Sequence, residues 1–320
     1  MDVSIIIPVY NVERYIWECL ESVANQKSSG KIECIVVDDC GNDNSMLLAE
    51  KYVQQYKGDI IFRIVHHAIN RGLSAARNTG IKEASLEYVF FLDSDDFLYP
   101  ECIKILDSII KEHPDLDMIQ CAFCSENRPK NMPYEYDVPV FSDNPSFIKS
   151  HYLGCLQGNI IMAQNRLLKR SLIIENNLFF REGIIHEDNY WTFLLVKYIK
   201  SIAFCKQRVY YYRNTPGSIT NNIVIEKEGN AYQCIIKELS ENIDNFLPGL
   251  QKEYILTHLI CAINAGYFND NEIKRKVIDS FLVSNTMIER YLCQFILNLS
   301  EGWVKNKVLH LLIRLYKIHD

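Results

Sequence analysis

Three acidic groups in this sequence have the types and spacing to do chemistry. Tyr88-Val89-Phe90-Phe91-Leu92, an uncharged run of aromatic, β-branched and Leu residues, leads straight into Asp93, Ser94, Asp95 and Asp96. That pattern reads as a buried strand ending in a carboxylate cluster. Such carboxylates repel one another and lose hydration when enclosed, so they need solvent, hydrogen-bond donors or a cation. A hard divalent ion held by oxygen ligands is one reading. A turn rich in Asp, which favours turns, is the other, and this stretch alone leaves both open. A second strand-like run, Ile32-Glu33-Cys34-Ile35-Val36-Val37, ends in Asp38-Asp39. The third group is Glu187-Asp188, at the predicted start of a helix, where the helix dipole alone favours acidic residues.

The elements that must position these groups alternate. Val3 to Val9 is a β-branched run stopped by Pro8 and followed by Tyr10-Asn11, a first strand opening into a loop, and Glu13 to Gln26 carries apolar Tyr15, Ile16, Cys19, Leu20 and Val23 at helical spacing. After the second strand, the polar turn 40–45 leads into a helix over 46–56; Ile60 to Val65 is a third strand, and Leu73 to Ala84 a helix with small Ala75, Ala76 and Gly80. A helix near Glu101 to Glu112 follows the Asp93 strand. Strands alternating with helices predict βαβ units in an α/β fold with a mostly parallel sheet flanked by helices, which places the two acidic strand ends on one sheet edge. Neither GxGxxG nor GxxxxGK[ST] occurs, so a Gly-rich loop does not hold phosphates here as in Rossmann or P-loop proteins, and a metal is the obvious way to neutralise a diphosphate. Residues 125–147, with Pro129, Pro133, Pro139 and Pro145, read as an exposed loop or flap. Asn189 to Lys200 reads as a helix with Trp191, Phe193, Leu194, Leu195, Val196 and Tyr198 towards a core, and Ile202 to Arg213 as an aromatic strand.

Composition narrows the classes. The 320 residues carry 34 basic and 40 acidic side chains, a net −6, which gives no reason to bind nucleic acid. Eleven Cys lie mostly in apolar surroundings, the pattern of reduced thiols in a cytoplasmic protein. The single CxxC, Cys121 to Cys124, has no second pair or nearby His and reads as strand rather than zinc site. The start, MDVSIIIPVYN, lacks a signal peptide's positive n-region, and no apolar run reaches the ~20 residues of a membrane span.

With these residues in view the chain resembles the family 2 glycosyltransferases of the GT-A fold, bacterial enzymes that build surface polysaccharides. The matching segments are SIIIPVYN at 4–11, ECIVVDDCGNDNS at 33–45, NRGLSAARNTGIKEASLEYVFFLDSDD at 70–96, NRLLKRSLI at 165–173, REGIIHEDNYW at 181–191 and YYYRNTPGSIT at 210–220. They follow the family's order over about two-thirds of the chain; the departure is Cys40, where the family usually has Gly or Asn. The resemblance implies that Pro8, Tyr10 and Asn11 hold nucleobase and ribose, that Asp39 accepts a hydrogen bond from a uracil ring N–H, and that Arg71 reaches base or phosphate. It implies that Asp95 is the direct ligand of Mn²⁺ or Mg²⁺, that Asp93 lies near the ribose or the metal's waters, and that Asp96 is a turn residue. Asp188 falls where the family has its catalytic base, with Glu187 as the alternative. His186, His66, His67, Lys169 and Arg170 read as ordinary loop or surface residues.

The implied activity is an inverting, metal-dependent transfer of sugar from a nucleotide sugar, a UDP-sugar above all, to a saccharide or lipid-linked saccharide acceptor. Its rivals are a catalytically silent nucleotide-sugar-binding module and a sugar nucleotidyltransferase; the latter wants a Gly-rich basic first loop, which PVYNVERY is not. The expected division is a catalytic domain over 1–220, with a nucleotide-sugar half (1–113) and an acceptor half (114–220), and a helical region over 221–320. Lys305, Lys307, Arg314 and Lys317 alternate with Trp303, Val304, Leu311, Leu312 and Leu315, so 303–320 reads either as a basic amphipathic helix on the inner face of the membrane or as a helix docked on its own domain or a second subunit.

Overall fold

The computed structural model describes residues 1–125, 138–154, 161–215 and 225–264. The 303–320 segment, the predicted helices beyond 264 and most of the Pro-rich flap lie outside the described residues. The chain divides into two compact units: one of residues 1–148, 161–183 and 194–222, and one of residues 149–160, 184–193 and 223–320.

The first unit is built on one sheet. β1 (Val3–Val9), β2 (Ile32–Asp38), β3 (Ile61–His66) and β4 (Tyr88–Phe91) pair parallel in the order β3-β2-β1-β4. All seven residues of β1 and all four of β4 are buried, as strands covered on both faces require. Pro8 does not stop β1: β4 pairs no further along it than Ile6, so the missing N–H of Pro8 falls where no ladder partner waits, while pairing with β2 continues to Val9. Between these strands run α1 (Ile16–Ala24), α2 (Ser45–Gln55) and α3 (Leu73–Glu83). The small residues of α3 let it lie close to β1; a Cβ on Gly80 would stand 2.2 Å from Ile6 Cγ2. These boundaries fall within a few residues of those expected from the alternation of patterns.

Beyond β4 the sheet becomes mixed. β8 (Arg166–Lys169) runs antiparallel to both β4 and β6 (Met118–Ser125), β9 (Ile202–Tyr212) runs parallel to β6, and two-residue strands β5 (Phe97–Leu98) and β7 (Phe141–Ser142) pair antiparallel with β9. The fold is thus α/β, with the parallel half carrying both acidic strand ends at one edge. Cys121 and Cys124 are strand residues of β6, and Cys121 is in register with Cys205. α4 (Cys102–Glu112) and α6 (Arg170–Glu175) complete the covering helices, and α5 (Pro145–Leu153) starts within the stretch expected to be loop, with Pro145 at its first position.

In the second unit, α8 (Ile225–Glu241) and α9 (Pro248–Asn264) form a helix pair. Lys149 is anchored there, its Nζ 3.2 Å from Asp244 Oδ1 and donating to the Phe246 carbonyl at 2.8 Å. α7 (Glu187–Leu195) begins two residues before the expected Asn189 and ends five residues before the expected Lys200; Tyr198 is exposed, and only Trp191, Phe193, Leu195 and Val196 of the predicted apolar face are buried. No helix of the described residues is long and apolar enough to cross a membrane.

Candidate functional site

The first strand end is a finished hydrogen-bond frame. Asp39 follows β2, is buried, and donates its backbone N–H to the Val9 carbonyl at 3.0 Å, which ties the β2 and β1 ends together. Its Oδ1 accepts the Arg71 N–H at 2.8 Å and lies 2.7 Å from His67 Nδ1; its Oδ2 accepts the Gly72 N–H at 2.8 Å. Gly72 is the N-cap of α3 with φ +87°, a conformation suited to Gly, so Asp39 closes the loop that starts that helix. His67 is held in turn by Thr79, Nε2 to Oγ1 at 2.8 Å, and Asp38 lies 2.9 Å from His66 Nδ1. The two His residues are therefore bonded partners of the Asp pair. The signal was present in the register, which sets Asp38 opposite His66.

Around this frame the residues expected at the donor lie where β1 ends. Pro8 is buried within β1, whereas Tyr10 and Asn11 are exposed beyond it. Asn11 has φ +53° and its Oδ1 accepts the Asn42 N–H at 2.7 Å. Cys40 also takes a left-handed φ, +56°, with its thiol 2.9 Å from the His67 carbonyl. What Gly or Asn supplies at this position is backbone freedom rather than small size, and Cys accepts it at a cost of about 1 kcal/mol. Arg71 holds Glu182 at 3.1 Å, but both are about two-fifths exposed, so that pair yields readily to a ligand.

The second strand end is crowded. Arg77 of α3, buried under the Phe180 ring at 5.3 Å, donates Nη2 to Asp93 Oδ1 at 2.9 Å. Tyr210 of β9 accepts the Asp93 N–H at 3.2 Å and donates its hydroxyl to Asp96 Oδ2 at 2.6 Å. Arg213 donates its backbone N–H to Asp96 Oδ1 at 2.7 Å and its Nε to the Asp95 carbonyl at 2.8 Å. Its guanidinium sits 5.1 Å from the Tyr15 ring and 5.5 Å from that of Phe97, with Nη2 2.7 Å from Glu18. Thr215 donates its hydroxyl to Asp95 Oδ2 at 3.0 Å. Even so, burial and the neighbouring Asp93 raise the Asp95 carboxyl above its ordinary value. Asp96, almost wholly buried beside Asp93 and Asp95, is pushed up to about 8 by burial first and those two charges next.

Asp96 is thus the internal post of the turn, its oxygens taken up by Tyr210 and Arg213. Asp93 and Asp95 remain partly exposed at the sheet edge. Two crowded carboxylates with oxygen donors suit a hard divalent cation that takes its other ligands from water and substrate phosphate, so the residues fit Mg²⁺ or Mn²⁺. Among the described residues no group of three or more His, Cys, Asp and Glu is arranged to hold a metal by itself. Arg77, Tyr210, Arg213 and Thr215 were not singled out from the sequence, because each reaches the turn through helix placement or strand register that spacing does not reveal.

The third acidic pair belongs to the second unit. Glu187 is buried and Asp188 half-buried in the first turn of α7, as expected. His186, with φ +61°, precedes them and pairs with Glu228. Lys169 holds Asp115 at 3.0 Å on the surface.

Three comparisons bear on this arrangement. The model of the family described as "Glycosyl transferase family 2" matches residues 4–175. EpsH of Bacillus subtilis (strain 168), named a glycosyltransferase, is 31% identical over 274 residues, covering 82% of this chain and 76% of EpsH. TarS of Staphylococcus aureus, named a poly(ribitol-phosphate) beta-N-acetylglucosaminyltransferase, is 28% identical over 217 residues, 66% of this chain but only 35% of TarS. The structure of TarS 1-349 in complex with UDP-GlcNAc superposes with a TM-score of 0.65 at 23% identity, covering 88% of this chain and 79% of that one. The mannosyltransferase PcManGT of Pyrobaculum calidifontis, in complex with GDP-Man and Mn²⁺, gives 0.56 at 14% identity, over 99% and 86%. The last two likenesses speak to the fold, which is that of GT-A enzymes.

Proposed function

This chain belongs to glycosyl transferase family 2 and is a glycosyltransferase, and from that premise we propose that it transfers a sugar, with inversion, from a UDP-sugar to a saccharide or lipid-linked saccharide in polysaccharide synthesis. The observation that carries the reading is the crowded Asp93–Asp95 pair beside the finished Asp39 frame: one strand end shaped to orient, the other still short of positive charge. UDP-GlcNAc in the TarS complex and Mn²⁺ in the PcManGT complex support the donor class and the ion.

Each residue then has a task. A carboxylate offers about four acceptor sites, and Asp39 uses three, which leaves one on Oδ2 for a uracil N–H. Tyr10 and Asn11, exposed beyond β1, flank the base and ribose. Arg71 exchanges Glu182 for base or phosphate. Asp95 ligates the cation and Asp93, pinned by Arg77, faces the ribose or the cation's waters. A bound divalent cation supplies charge neutralisation for the departing diphosphate. Asp188 takes the proton of the acceptor hydroxyl, with Glu187 as the alternative acceptor. The acceptor oxygen bonds to the anomeric carbon while the bond from that carbon to the diphosphate oxygen breaks, the electron pair leaving with the nucleotide; one in-line displacement inverts the centre.

Thermal unfolding in a panel of UDP- and GDP-sugars, with and without MnCl₂, tests this. A shift with a UDP-sugar that needs Mn²⁺ is expected. Equal shifts without metal would remove the cation from the reading, and binding without sugar transfer would favour the silent module.

A further inference from the structure

Within the second unit, the segment carrying Glu187 and Asp188 is gripped from both helices of the pair. On one side, His186 Nε2 lies 2.8 Å from Glu228 Oε1 of α8, and its ring lies 5.3 Å from Tyr232, one turn further along that helix. On the other, Tyr254 of α9 donates its hydroxyl to the Asn189 carbonyl at 2.9 Å and stacks on Phe193 at 5.9 Å. Glu228, Asn189 and Tyr254 are all buried. His186 keeps a left-handed backbone, φ +61°, which for a residue with a Cβ costs about 1 kcal/mol and persists only where its surroundings hold it. The Asn189 N–H then bonds back to the His186 carbonyl at 3.1 Å and starts the helix. The contacts therefore bracket Glu187 and Asp188 from residue 186 on one side and residue 189 on the other.

We propose that Glu228 and Tyr254 are positioning residues that fix the direction of the Glu187–Asp188 turn, which makes α8 and α9 part of the transfer machinery; this rests on Asp188 being the proton acceptor. A base misplaced by about 1 Å can cost up to a hundred-fold in rate, so the grip on both sides has a kinetic consequence while donor binding does not depend on it.

The test combines hydrogen exchange with kinetics on the full chain. In Glu228→Ala, amides 186–191 should exchange at least about ten-fold faster while those of β1, β2 and β4 are unchanged. UDP release from UDP-GlcNAc, to water or an added saccharide, should fall about ten- to a hundred-fold in kcat with its KM unchanged. Glu228→Gln, whose amide oxygen keeps the bond to His186, should recover most of both. Tyr254→Phe, which removes one hydroxyl and little volume, should show the same pattern more weakly and decides the matter if Glu228→Ala does not fold. Unaltered exchange at 186–191 in both variants, or a loss confined to KM, would overturn the proposal. Asp188→Asn run beside them separates the two ideas: if it leaves kcat intact, the base is elsewhere, and the exchange data still report whether α8 and α9 hold the turn.

Discussion

The ends of β2 and β4 look alike as text, each a hydrophobic strand closing on adjacent acidic residues, yet they have opposite electrostatic situations. At β2 the buried carboxylate, Asp39, receives two backbone N–H groups and a His, and its neighbour Asp38 has a His of its own. At β4 three carboxylates share one turn, burial and mutual repulsion raise Asp95 and Asp96, and among the described residues one guanidinium, that of Arg77, bonds an Asp side chain. Acidic residues at a strand end thus specify nothing alone. Whether they frame a loop or stay crowded depends on which donors the loop and the next helix deliver.

Deleting a carboxylate should consequently have opposite effects at the two ends. Asp95→Ala is expected to abolish the Mn²⁺-dependent thermal shift with UDP-sugar and the transfer activity, while leaving metal-free stability equal to or above that of the parent, since it relieves repulsion. A retained metal response would erase the distinction. Asp39→Ala should instead lower stability by about 2–3 kcal/mol in chemical denaturation, because the buried imidazole of His67 and the half-buried N–H groups of Arg71 and Gly72 lose their acceptor.

A third difference lies in pH. Asp96 titrates near 8 in the folded chain against 3.8 for the unconstrained group, so the folded state holds the proton more tightly. Its contribution to stability is fully present below about pH 4 and is lost as pH rises towards about 8. Metal-free protein should therefore unfold at progressively lower temperature across that window, and Asp96→Asn should flatten the slope. A slope that persists in Asp96→Asn would place its origin in other groups. The smallest effect belongs to the β2 end: Cys40→Gly frees the left-handed backbone and should raise stability by about 0.5–1 kcal/mol, less whatever the thiol contact to His67 contributes.

The contrast explains what was legible in the sequence. The parallel half was readable because β1, β2 and β4 are short, mostly apolar runs bounded by clear turns and α1 carries apolar residues at helical spacing, and the helix starts came out within a few residues. β5, two residues long, has no pattern of its own and exists through pairing with Tyr210 and Tyr211. α7 ends at Leu195 in tighter turns, Lys197 and Tyr198 donating their N–H groups to the carbonyls three residues back, with Tyr198 exposed while Val196 and Ile199 stay buried. In the site, the carboxylates announce themselves by type, but their partners do not. Arg77 stands among small residues of α3 and reads as helix filler, Tyr210 reads as one aromatic of three, and His67 reads as loop; each acquires its role only when the chain is folded.

Gly80 leaves α3 seated tightly on β1, and that helix touches both strand ends: its first residues are capped through Asp39, and Arg77, one turn on, grips Asp93. On the proposed roles, a rigid helix whose first two turns hold both strand ends would link the two sites thermodynamically. If nucleotide occupancy at Asp39 settles that helix and thereby Asp93, the ion must bind more tightly to the nucleotide-loaded chain, and the nucleotide must gain by the same factor from the ion.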